Sequence, residues 1–445
     1  MRDKLHVSLL TLLFFLSPVQ TRSQPSWQTL FNAPSGTRNN DVYFVTPKMG
    51  WIVNGAGQIY KTPDGGASWQ LQFQKSTAHF RSIGFLDSLQ GWAGNVGVNE
   101  FGTTDSSALY QTKDGGATWS PARAFIGPAP RGLCGMQVVN DSVICAVGRV
   151  RGPSFFVRTT DGGKAWTSKD MSAYAAGLID VYFFHPDSGF AVGLTNVNHE
   201  SSSGIILFTA DGGATWQQRF VTTRTGEWCW KISFPSRRVA YVSLQRNTQS
   251  PIYFLKTTNG GVSWQEKLFS NTNYFVQGIG FATELKGWIG GNSQFPTYET
   301  TDGGETWRPA SFGTRLNRFR FLSDSTGYAA GQYVYKYSPP TPVGIAEINN
   351  ENPRSFRLEQ NYPNPFNPNT VIRFTLKAKS FVRLKIYDVQ GREVRKLVNA
   401  AHQAGEYSVN WDGKDETGQL ASAGIYFYTI EIGQQRQTMK MALLK

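Results

Sequence analysis

The stretch "TPDGGASWQLQF" at residues 62–73 decides the fold, because close copies of it recur along the chain. In each copy an alternation of apolar residues runs into an Asp-Gly-Gly turn and is followed by a tryptophan. The other copies are "TKDGGATW" from 112, "TTDGGKAW" from 159, "TADGGATW" from 209, "TTNGGVSW" from 257 and "TTDGGETW" from 300. A short unit that recurs at nearly constant spacing indicates a repeat architecture.

The spacing of the repeated tryptophans predicts the size of the structural unit. Trp69, Trp119, Trp166, Trp216, Trp264 and Trp307 are separated by 43 to 50 residues. This period is typical of one four-stranded propeller blade. In the fourth repeat, the two-residue alternation predicts strands A to D at about 179–184, 189–194, 204–209 and 215–220. The Asp-Gly-Gly turn therefore joins strand C to strand D.

A second motif predicts the number of blades. An apolar alternation ending in Phe, then a polar turn, a glycine and an aromatic residue, as in "VYFVTPKMGWIVNG" from 42, occurs seven times against six tryptophan turns. The seventh repeat ends without a strand D, and "SWQTLF" at 26–31 matches the strand D sequence "SWQLQF" from 68. We predict an all-β fold in which residues 24–338 form a seven-bladed β-propeller closed by its N-terminal strand.

The composition and the N-terminal sequence limit the classes of protein to which the chain can belong. The 445 residues include 46 Gly, 30 Phe, 18 Tyr and 13 Trp, which favours a turn-rich β protein. Residues 1–23 have the layout of a secretory signal peptide, which we expect to be cleaved after Ser23. No segment reaches the length of a membrane-spanning helix. The net charge of +13 is spread without a Lys or Arg cluster, so no nucleic-acid partner is expected.

The chain has three cysteines, too few for a disulfide framework. Cys134 and Cys145 lie on the two arms of a predicted hairpin, and both a bridged and a free pair remain open. We expect Cys229 to be a buried small hydrophobic residue. The cysteines and histidines lack metal-ligand spacing, so we predict neither a metal site nor a cofactor.

The acidic residue of the repeated turn is interpreted as structural. A short carboxylate there can accept hydrogen bonds from following backbone N–H groups, while the glycines adopt backbone angles that other residues resist. A general base needs one special environment, whereas this residue recurs in every repeat, and the fifth copy has an amide that cannot act as a base. The structural set is Asp64, Asp114, Asp161, Asp211, Asn259 and Asp302, with the six tryptophans named above.

The repeated turn resembles the Asp-box, also called the bacterial neuraminidase repeat. Its combination with strands such as "GWAGN" over residues 25–338 resembles the photosystem II assembly factor family of seven-bladed propellers. That resemblance implies a protein-binding scaffold. Asp-boxes are shared by enzymes and non-enzymes, so the resemblance bears on fold more than on function.

A second domain follows the propeller. Residues 339–356 read as a linker rich in Pro and polar residues, and residues 357–445 predict a seven-stranded antiparallel sandwich of short alternating strands. We expect its core aromatics to be Trp411, Tyr387, Tyr407 and Tyr426. Asp412, Asp415 and Glu416 are interpreted as solvated turn residues, with a calcium site as the alternative.

The C-terminal motifs carry a further resemblance. "NYPNPFNPNTVIRF", "VRLKIYDVQGREV", "WDGKDETGQLASAGIYFY" and the terminal "KMALLK" resemble the type A sorting domain of the type IX secretion system, and this resemblance implies an immunoglobulin-like fold. The resemblance implies that the secretion machinery recognises residues 357–445 and exports the protein across the outer membrane of a Gram-negative bacterium. The signal peptide supplies the first, Sec-dependent step of that route. We therefore expect a secreted or cell-surface protein.

Propeller geometry places the D-to-A and B-to-C connections on one face, which we call the loop face. Its irregular connections carry aromatic and basic residues, and we expect a monomer that binds an unknown protein or glycan there. The predicted ligand-binding residues are Arg81, Arg131, Trp228, Trp230, Lys231, Tyr274 and Arg318.

The alternative function is a sialidase-like or other propeller glycoside hydrolase. The early Arg-Ile-Pro signature of sialidases is absent. Asn40, Arg81, Cys134, Ile179, Trp230, Gln277 and Asn317, which open the seven inner strands, form a ring without the paired carboxylates that hydrolysis requires. No catalytic residue is assigned, and a non-enzymatic role is expected.

Overall fold

The structure is a computed structural model that describes residues 25–247, 249–292, 295–339, 356–433 and 435–444. The predicted signal peptide (1–23) and most of the predicted linker (339–356) lie outside these ranges. The described residues fall into two compact units, one within residues 1–341 and the other within 342–445.

Seven small antiparallel sheets make up the first unit. Each sheet is one propeller blade, and its first strand is the inner strand A, except in the third blade, where strand A is Gly135–Val138. The N-terminal strand is β1 (Ser26–Leu30); the blades are β2 to β5 (Asn39–Phe44, Gly50–Asn54, Gln58–Thr62, Gln70–Gln74), β6 to β9 (Phe80–Phe85, Gly91–Asn95, Leu109–Thr112, Ser120–Pro121), β10 to β14 (Phe125–Ile126, Gly135–Val138, Ile144–Gly148, Phe155–Thr159, Trp166–Asp170), β15 to β18 (Gly177–His185, Ser188–Leu194, Gly204–Thr209, Gln217–Val221), β19 to β22 (Trp228–Ser233, Ala240–Gln245, Ile252–Thr257, Gln265–Ser270), β23 to β26 (Val276–Phe281, Gly287–Gly291, Pro296–Thr300, Arg308–Thr314) and β27 to β29 (Arg318–Ser323, Thr326–Ala330, Val334–Ser338).

The ring is closed by the N-terminal strand. β1 pairs antiparallel with β29, with Ser26 opposite Ser338 and Leu30 opposite Val334, and so becomes the fourth strand of the seventh blade. Trp27 on β1 stacks on Phe312 of the sixth blade, with ring centroids 4.7 Å apart. The predicted seven-bladed propeller closed by its N-terminus is confirmed.

Two local features depart from the repeat. The third blade has a fifth strand, because β10 pairs in parallel with β14, Phe125 lying opposite Trp166. A single 3-10 turn at His199–Ser201 lies in the B-to-C connection of the fourth blade. Neither feature has a counterpart in the other blades among the described residues.

The second sequence motif has a packing explanation. Phe44 at the end of strand A lies opposite Gly50 at the start of strand B, and a Cβ on that glycine would come within 2.5 Å of the Phe44 ring. The glycine lets the ring fold back over its own sheet, where it stacks on Tyr328 of the neighbouring blade at 3.5 Å. Trp51 stacks on Phe85 of the next blade in the same way. Aromatic contacts of this kind join each blade to its neighbour.

The Asp-Gly-Gly turns are closed by hydrogen bonds within the turn. Asp64 accepts hydrogen bonds from the Ser68 backbone N–H at 2.9 Å and from the Ser68 hydroxyl at 2.6 Å, while the Thr62 hydroxyl donates to it at 2.8 Å. Gly66 has φ of 95° and donates its N–H to the Thr62 hydroxyl. Hydrogen bonds from Ser68 are the first cause that lowers the pKa of Asp64 to about 2. The carboxylate is exposed at the outer edge of the blade, and the hydrogen bonds described above all lie within its own turn.

Substitutions of Asp114 test whether this position of the turn needs a hydrogen-bond acceptor or a negative charge. Asn259 makes the same contacts in the fifth blade, so we expect Asp114→Asn to keep the Tm near that of the wild type and Asp114→Ala to lower it. The pKa of Asp114 is lowered to about 2, so its contribution to stability is complete above about pH 4 and is lost as the pH falls towards 2. Thermal melts at pH 7 and pH 3 check both points. Equal destabilisation by Asn and Ala would contradict the turn role.

The cysteines are free and buried. On the hairpin of β11 and β12, Cys145 lies opposite Gln137, and Cys134 precedes the paired residues, so the register keeps the two thiols apart. Burial is the main cause that raises the pKa of Cys134 to about 11. Cys229 lies in an apolar cluster between the fourth and fifth blades.

The second unit is a sandwich of seven strands, which are β30 (Phe356–Leu358), β31 (Thr370–Leu376), β32 (Ser380–Tyr387), β33 (Glu393–His402), β34 (Gly405–Trp411), β35 (Gly424–Ile432) and β36 (Gln435–Leu443). They form two sheets, ordered β30-β31-β34 and β33-β32-β35-β36. This confirms the predicted immunoglobulin-like fold. Its core contains Trp411 and Tyr426, and Tyr407 packs against the edge of that core. Tyr387 is half-buried and lies outside the core cluster, so its assignment as a core aromatic is wrong.

The acidic loop of the sandwich is held by hydrogen bonds within the protein. Asp415 accepts from the N–H groups of Thr417 and Gln419 at 2.9 and 3.0 Å, and Glu416 accepts from the Lys396 N–H at 2.8 Å. Asp412 accepts from the Lys414 N–H at 3.2 Å. Over the described ranges, no three His, Cys, Asp or Glu residues are grouped as metal ligands would be.

Candidate binding site on the loop face

The propeller opens on the loop face into a cavity of about 540 Å³, which we call the loop-face cavity. It is lined by residues that precede or begin the inner strands and by the B-to-C connections. The residues used below are Arg38, Asn40, His79, Arg81, Phe101, Arg151, His199, Trp228, Trp230, Phe275, Gln277 and Arg315. All seven blades therefore contribute to one wall around the propeller axis.

Four arginines make the wall of the cavity basic. Arg38 donates hydrogen bonds to the side chains of Gln277 and Asn40. Burial, with the charges of Arg81 and Arg315 added, lowers the pKa of Arg38 to about 9. Arg38, Arg81 and Arg315 are thus close enough for their charges to repel, and a negatively charged group in the cavity would relieve that repulsion.

Aromatic rings form the other part of the wall. Trp228 and Trp230 are parallel, with centroids 6.4 Å apart, and the His199 ring meets Trp228 edge-on at 5.0 Å. Phe101 is 45% exposed and has the guanidinium groups of Arg81 and Arg151 within 5.6 and 5.7 Å of its ring. Flat apolar faces beside guanidinium groups suit a ligand with both apolar and polar parts.

His79 is a neutral member of this wall. Burial is the first cause that lowers its pKa to about 3, and the charges of Arg81 and Arg38 lower it further. Its Nε2 lies 3.0 Å from the Asn40 amide nitrogen, which also donates to the Phe80 carbonyl at 2.8 Å. A neutral imidazole at pH 7 accepts this hydrogen bond and adds no charge to the cavity.

Below the cavity, the propeller channel is crossed by a buried ion network of Asp41, Asp180, Arg318 and Arg320, which we call the channel network. Arg318 binds both oxygens of Asp180 at 2.8 Å and lies 3.3 Å from Asp41. Arg320 also binds both oxygens of Asp41, at 3.0 and 2.8 Å. Each aspartate in turn accepts a backbone N–H from the next blade, Ile83 or Ile232. The network joins blades 1, 4 and 7 across the axis.

A second cavity of about 330 Å³ opens on the opposite face of the propeller. Tyr43, Tyr182, Phe234 and Phe321 are among its lining residues, with Arg320 at the channel side. Its wall is mainly aromatic, whereas the wall of the loop-face cavity is basic and aromatic. The loop-face cavity is the better candidate for a charged ligand.

Three of the seven predicted ligand-binding residues, Arg81, Trp228 and Trp230, line the loop-face cavity together. Lys231 and Arg318 lie deeper, in the channel, where they are 1% and 6% exposed. Arg318 is already paired with two carboxylates, so its assignment to a ligand contact is corrected to a structural one. The alternation of strand A explains the difference, because neighbouring residues on one strand point in different directions.

Arg131 and Tyr274 do not join the cavity. Arg131 is exposed but belongs to a separate depression with Arg149 and Phe155. Tyr274 is 3% exposed, packs edge-on against Phe269 at 5.0 Å and donates its hydroxyl to the carbonyl of Pro296. Its side chain fills the space between blades, so its assignment as a ligand-binding residue is wrong.

Sequence reasoning missed several cavity residues that a simple rule would find. Arg38, His79, Phe275 and Arg315 each stand two residues before a member of the ring that opens the inner strands, as does Trp228, which was predicted. Side chains two residues apart on a strand point to the same side. These residues therefore form a second ring of side chains, which lies nearer to the loop face than the ring that opens the inner strands. Phe101 and Arg151 lie in B-to-C connections that have no repeated pattern, and no sequence signal places them.

Three carboxylates of the loop-face connections, Asp105, Glu227 and Glu100, lie outside the cavity lining. Among the described residues that line the cavity, none is Asp or Glu. Asp105 binds Lys75 at 3.0 Å and the Tyr110 hydroxyl at 2.7 Å, and Glu227 binds Arg224 and Arg246, each at 2.7 Å. Glu100 is 1% exposed, and burial is the main cause that raises its pKa.

Comparison with known proteins agrees with this architecture. Residues 368–436 match the family described as the FlgD Ig-like domain. No curated protein sequence matches the chain. The part of the chain that the structure describes has no helix with the length and apolar character of a membrane span.

Three solved structures illustrate the likeness in fold. YCF48 bound to a D1 peptide is 18% identical, with a TM-score of 0.53 over 70% of this chain and 96% of that one. PorZ, described as an essential surface component of the type IX secretion system of Porphyromonas gingivalis, is 12% identical, with a TM-score of 0.50 over 93% of this chain and 60% of that one. A GH74 xyloglucanase from Xanthomonas campestris is 11% identical, with a TM-score of 0.53 over 94% of this chain and 68% of that one. At these identities the chain shares a propeller fold with binding proteins and enzymes alike.

Proposed function

We propose that this protein is a secreted or cell-surface propeller scaffold that binds an acidic protein or glycan in the loop-face cavity. The observation that carries the proposal is the lining of the cavity, with four arginines and two tryptophans and no carboxylate among the described lining residues. Arginine pairs well with carboxylates and other planar anions. Tryptophan supplies the apolar contact area of a binding hot spot.

The same observation makes hydrolysis of a glycan the weaker alternative. Glycoside hydrolysis needs two carboxyl groups, one on each side of the scissile bond, at a separation of about 5 to 10 Å. Asp105 and Glu227 are held by basic partners outside the cavity lining, and Glu100 is buried. We therefore propose binding without turnover, although GH74 enzymes share the fold.

Export by the type IX secretion system through residues 357–445 belongs to the same proposal. The sequence of the C-terminal unit resembles the sorting domains of that system, and the unit has an immunoglobulin-like fold. PorZ, with a similar fold, is described as a surface component of the type IX system. YCF48 bound to a D1 peptide offers a precedent for a peptide ligand on such a propeller.

Changing exposed cavity residues tests the binding function. We expect Phe101→Ala with Arg151→Gln to reduce capture of the ligand at least about tenfold, because each such contact contributes about 1 kcal/mol or more. Both side chains are largely exposed, at 45% and 55%, so the variant should fold normally. The measurement is a pull-down from intact cells and envelope fractions with the propeller, followed by titration of the captured partner.

Arg131→Gln is the matched control, since Arg131 is an exposed arginine outside the cavity. It should capture as much partner as the wild type. Equal capture by the wild type and the cavity variant would contradict the proposal. Steady release of sugar from acidic glycans or xyloglucan by the wild type would favour the hydrolase alternative.

A further inference from the structure

The second cavity, on the face opposite the loop face, is built around one irregular position of the repeat. This position directly precedes the Phe that ends strand A, or its counterpart Val138 in the third blade. Its two neighbours in sequence are apolar in all seven blades, whereas the position itself varies. It is Tyr43, Gln137, Tyr182, Ser233 or Arg320 in the five blades where it lines the cavity, and Gly84 or Gly280 in the other two.

The alternation of strand A turns these side chains towards the channel. Tyr43 and Tyr182 each stand two residues after an aspartate of the channel network, and Arg320 stands two residues after Arg318. Side chains two residues apart on a strand point to the same side. The three side chains therefore lie where the channel opens into the second cavity, and the Arg320 guanidinium carbon is 5.3 Å from the centroid of the Tyr43 ring.

Aromatic rings form the wall beside them. Tyr182 stacks on Phe234 of the next blade, with centroids 4.5 Å apart and an angle of 17° between the ring planes. Phe321, which follows Arg320, lines the same space. A volume of about 330 Å³ falls within the usual range of small-molecule sites, and such sites combine apolar walls with a few polar groups that orient the ligand.

Three polar groups in this cavity are not used by the protein. Arg320 donates from Nε and Nη2 to Asp41, and Nη2 also donates to the Met136 carbonyl at 3.2 Å. Its Nη1 atom has no acceptor among the residues that the structure describes, and the side chain is 21% exposed. The hydroxyls of Tyr43 and Tyr182 likewise have no hydrogen-bond partner within the described ranges.

The other two polar side chains at this position stabilise the ring of blades. Gln137 donates to the Phe183 carbonyl at 2.9 Å, and the Ser233 hydroxyl accepts the Phe281 N–H at 3.1 Å. Each therefore binds the backbone of strand A in the next blade. The two tyrosine hydroxyls make no such bond, so contacts between the blades do not account for them.

The charge of the channel network decides the kind of ligand. Its two aspartates face two arginines, so the network is balanced and Arg320 is already paired with Asp41. An anion at Nη1 would lie near the Asp41 carboxylate and be repelled by it, whereas an uncharged oxygen acceptor avoids that repulsion. We propose that the second cavity binds a small uncharged aromatic compound, with its ring against Tyr182 and Phe234 and a carbonyl oxygen on Nη1 of Arg320. The Tyr43 and Tyr182 hydroxyls are then available to a polar substituent on the ring.

This site differs from the proposed ligand site in position and in ligand chemistry. It opens on the opposite face of the propeller, and the described residues that line the two cavities do not overlap. The proposal is therefore independent of the proposed function. Its test changes the second cavity, while Phe101→Ala with Arg151→Gln serves here only to exclude binding in the loop-face cavity.

Three probes of one shape and different charge test the ligand class. They are 2-naphthamide, 2-naphthoate and 2-naphthamidine, which are neutral, negative and positive at pH 7. We expect saturation-transfer difference NMR on the full-length protein to give the tightest binding for 2-naphthamide. The amidine should bind most weakly, because it offers only donors to a cationic donor. This series needs only the wild-type protein, so it does not depend on the folding of any variant.

Arg320→Met should weaken the binding of 2-naphthamide at least about tenfold, because a hydrogen bond from a charged donor usually contributes that much or more. Arg238→Met is the matched control, since Arg238 is an exposed arginine in the A-to-B connection of the fifth blade and lies outside the lining of the cavity. It should bind as the wild type does, and so should Phe101→Ala with Arg151→Gln.

Four results would overturn the proposal. They are no binding of 2-naphthamide, tighter binding of either charged probe, equal binding by the wild type and Arg320→Met, and loss of binding in Phe101→Ala with Arg151→Gln. The last of these would place the aromatic compound in the loop-face cavity.

Discussion

Replacing Arg318 by methionine is expected to lower the free energy of unfolding by about 3–5 kcal/mol, which is the usual cost of removing one partner from a buried ion pair. Arg318 is 6% exposed and is the only described side chain that hydrogen-bonds Asp180 across the channel. Methionine has a similar length but leaves the Asp180 carboxylate buried without its two charged hydrogen bonds. Urea unfolding at pH 7 measures the loss.

The pH dependence of this loss identifies its cause. Burial would raise the pKa of Asp180, but Arg318 and Lys231 together hold it below the ordinary value of a carboxyl. In the wild type this stabilisation is complete above about pH 4, the unfolded pKa, and is lost as the pH falls through the lower folded pKa. In Arg318→Met burial dominates and raises the folded pKa, so the variant gains relative stability on acidification.

We therefore expect the difference between the wild type and Arg318→Met to shrink between pH 7 and pH 3. Arg320→Met is the control, because Arg320 is 21% exposed and Asp41 retains Arg318 beside it. Its effect should be clearly smaller. A constant difference across this pH range would show that Arg318 acts by packing and not through its charge.

The fold could be predicted from the sequence because it is specified by local, repeated chemistry. The Asp-Gly-Gly turn fixes where strand C ends, and the glycine opposite Phe44 fixes where strand A meets strand B. Each signal acts over a few residues, and its six or seven copies along the chain allow the blade pattern to be recognised even where one copy departs from it. The match of "SWQTLF" to the other D strands then identified the closing strand without any long-range information.

The candidate site was predicted only in part, because it is made by irregular residues brought together across the ring. Counting along the repeats placed Arg81 and Trp230 at the axis, and a further step of two residues would have added Arg38 and Arg315. Tyr274 was wrong because composition does not tell an exposed aromatic residue from one that packs between blades. The pairing of Arg318 with Asp180 joins residues far apart in sequence and has no local signature.

The closing strand β1 gives the second large prediction. Deletion of residues 26–30 should lower the Tm strongly and make the protein aggregate. The deletion removes the five paired residues that cover β29, which then becomes an open edge. It also removes Trp27, whose ring contacts Phe312 and Trp288 at 4.7 and 5.4 Å, and loss of a packed tryptophan alone costs about 3–5 kcal/mol.

Size-exclusion chromatography and thermal melts at several protein concentrations measure both effects. Gln28→Ala is the matched control, because its exposed side chain leaves the backbone pairing with Lys336 intact, and it should behave as the wild type. A synthetic peptide of residues 24–33, added to the deleted protein, should restore a compact monomer by rebuilding the same edge. The peptide must be supplied in excess, since the covalent link that normally keeps β1 at a high local concentration is gone. A deleted protein that stays monomeric with an unchanged Tm would mean that the first and seventh blades hold the ring closed without β1.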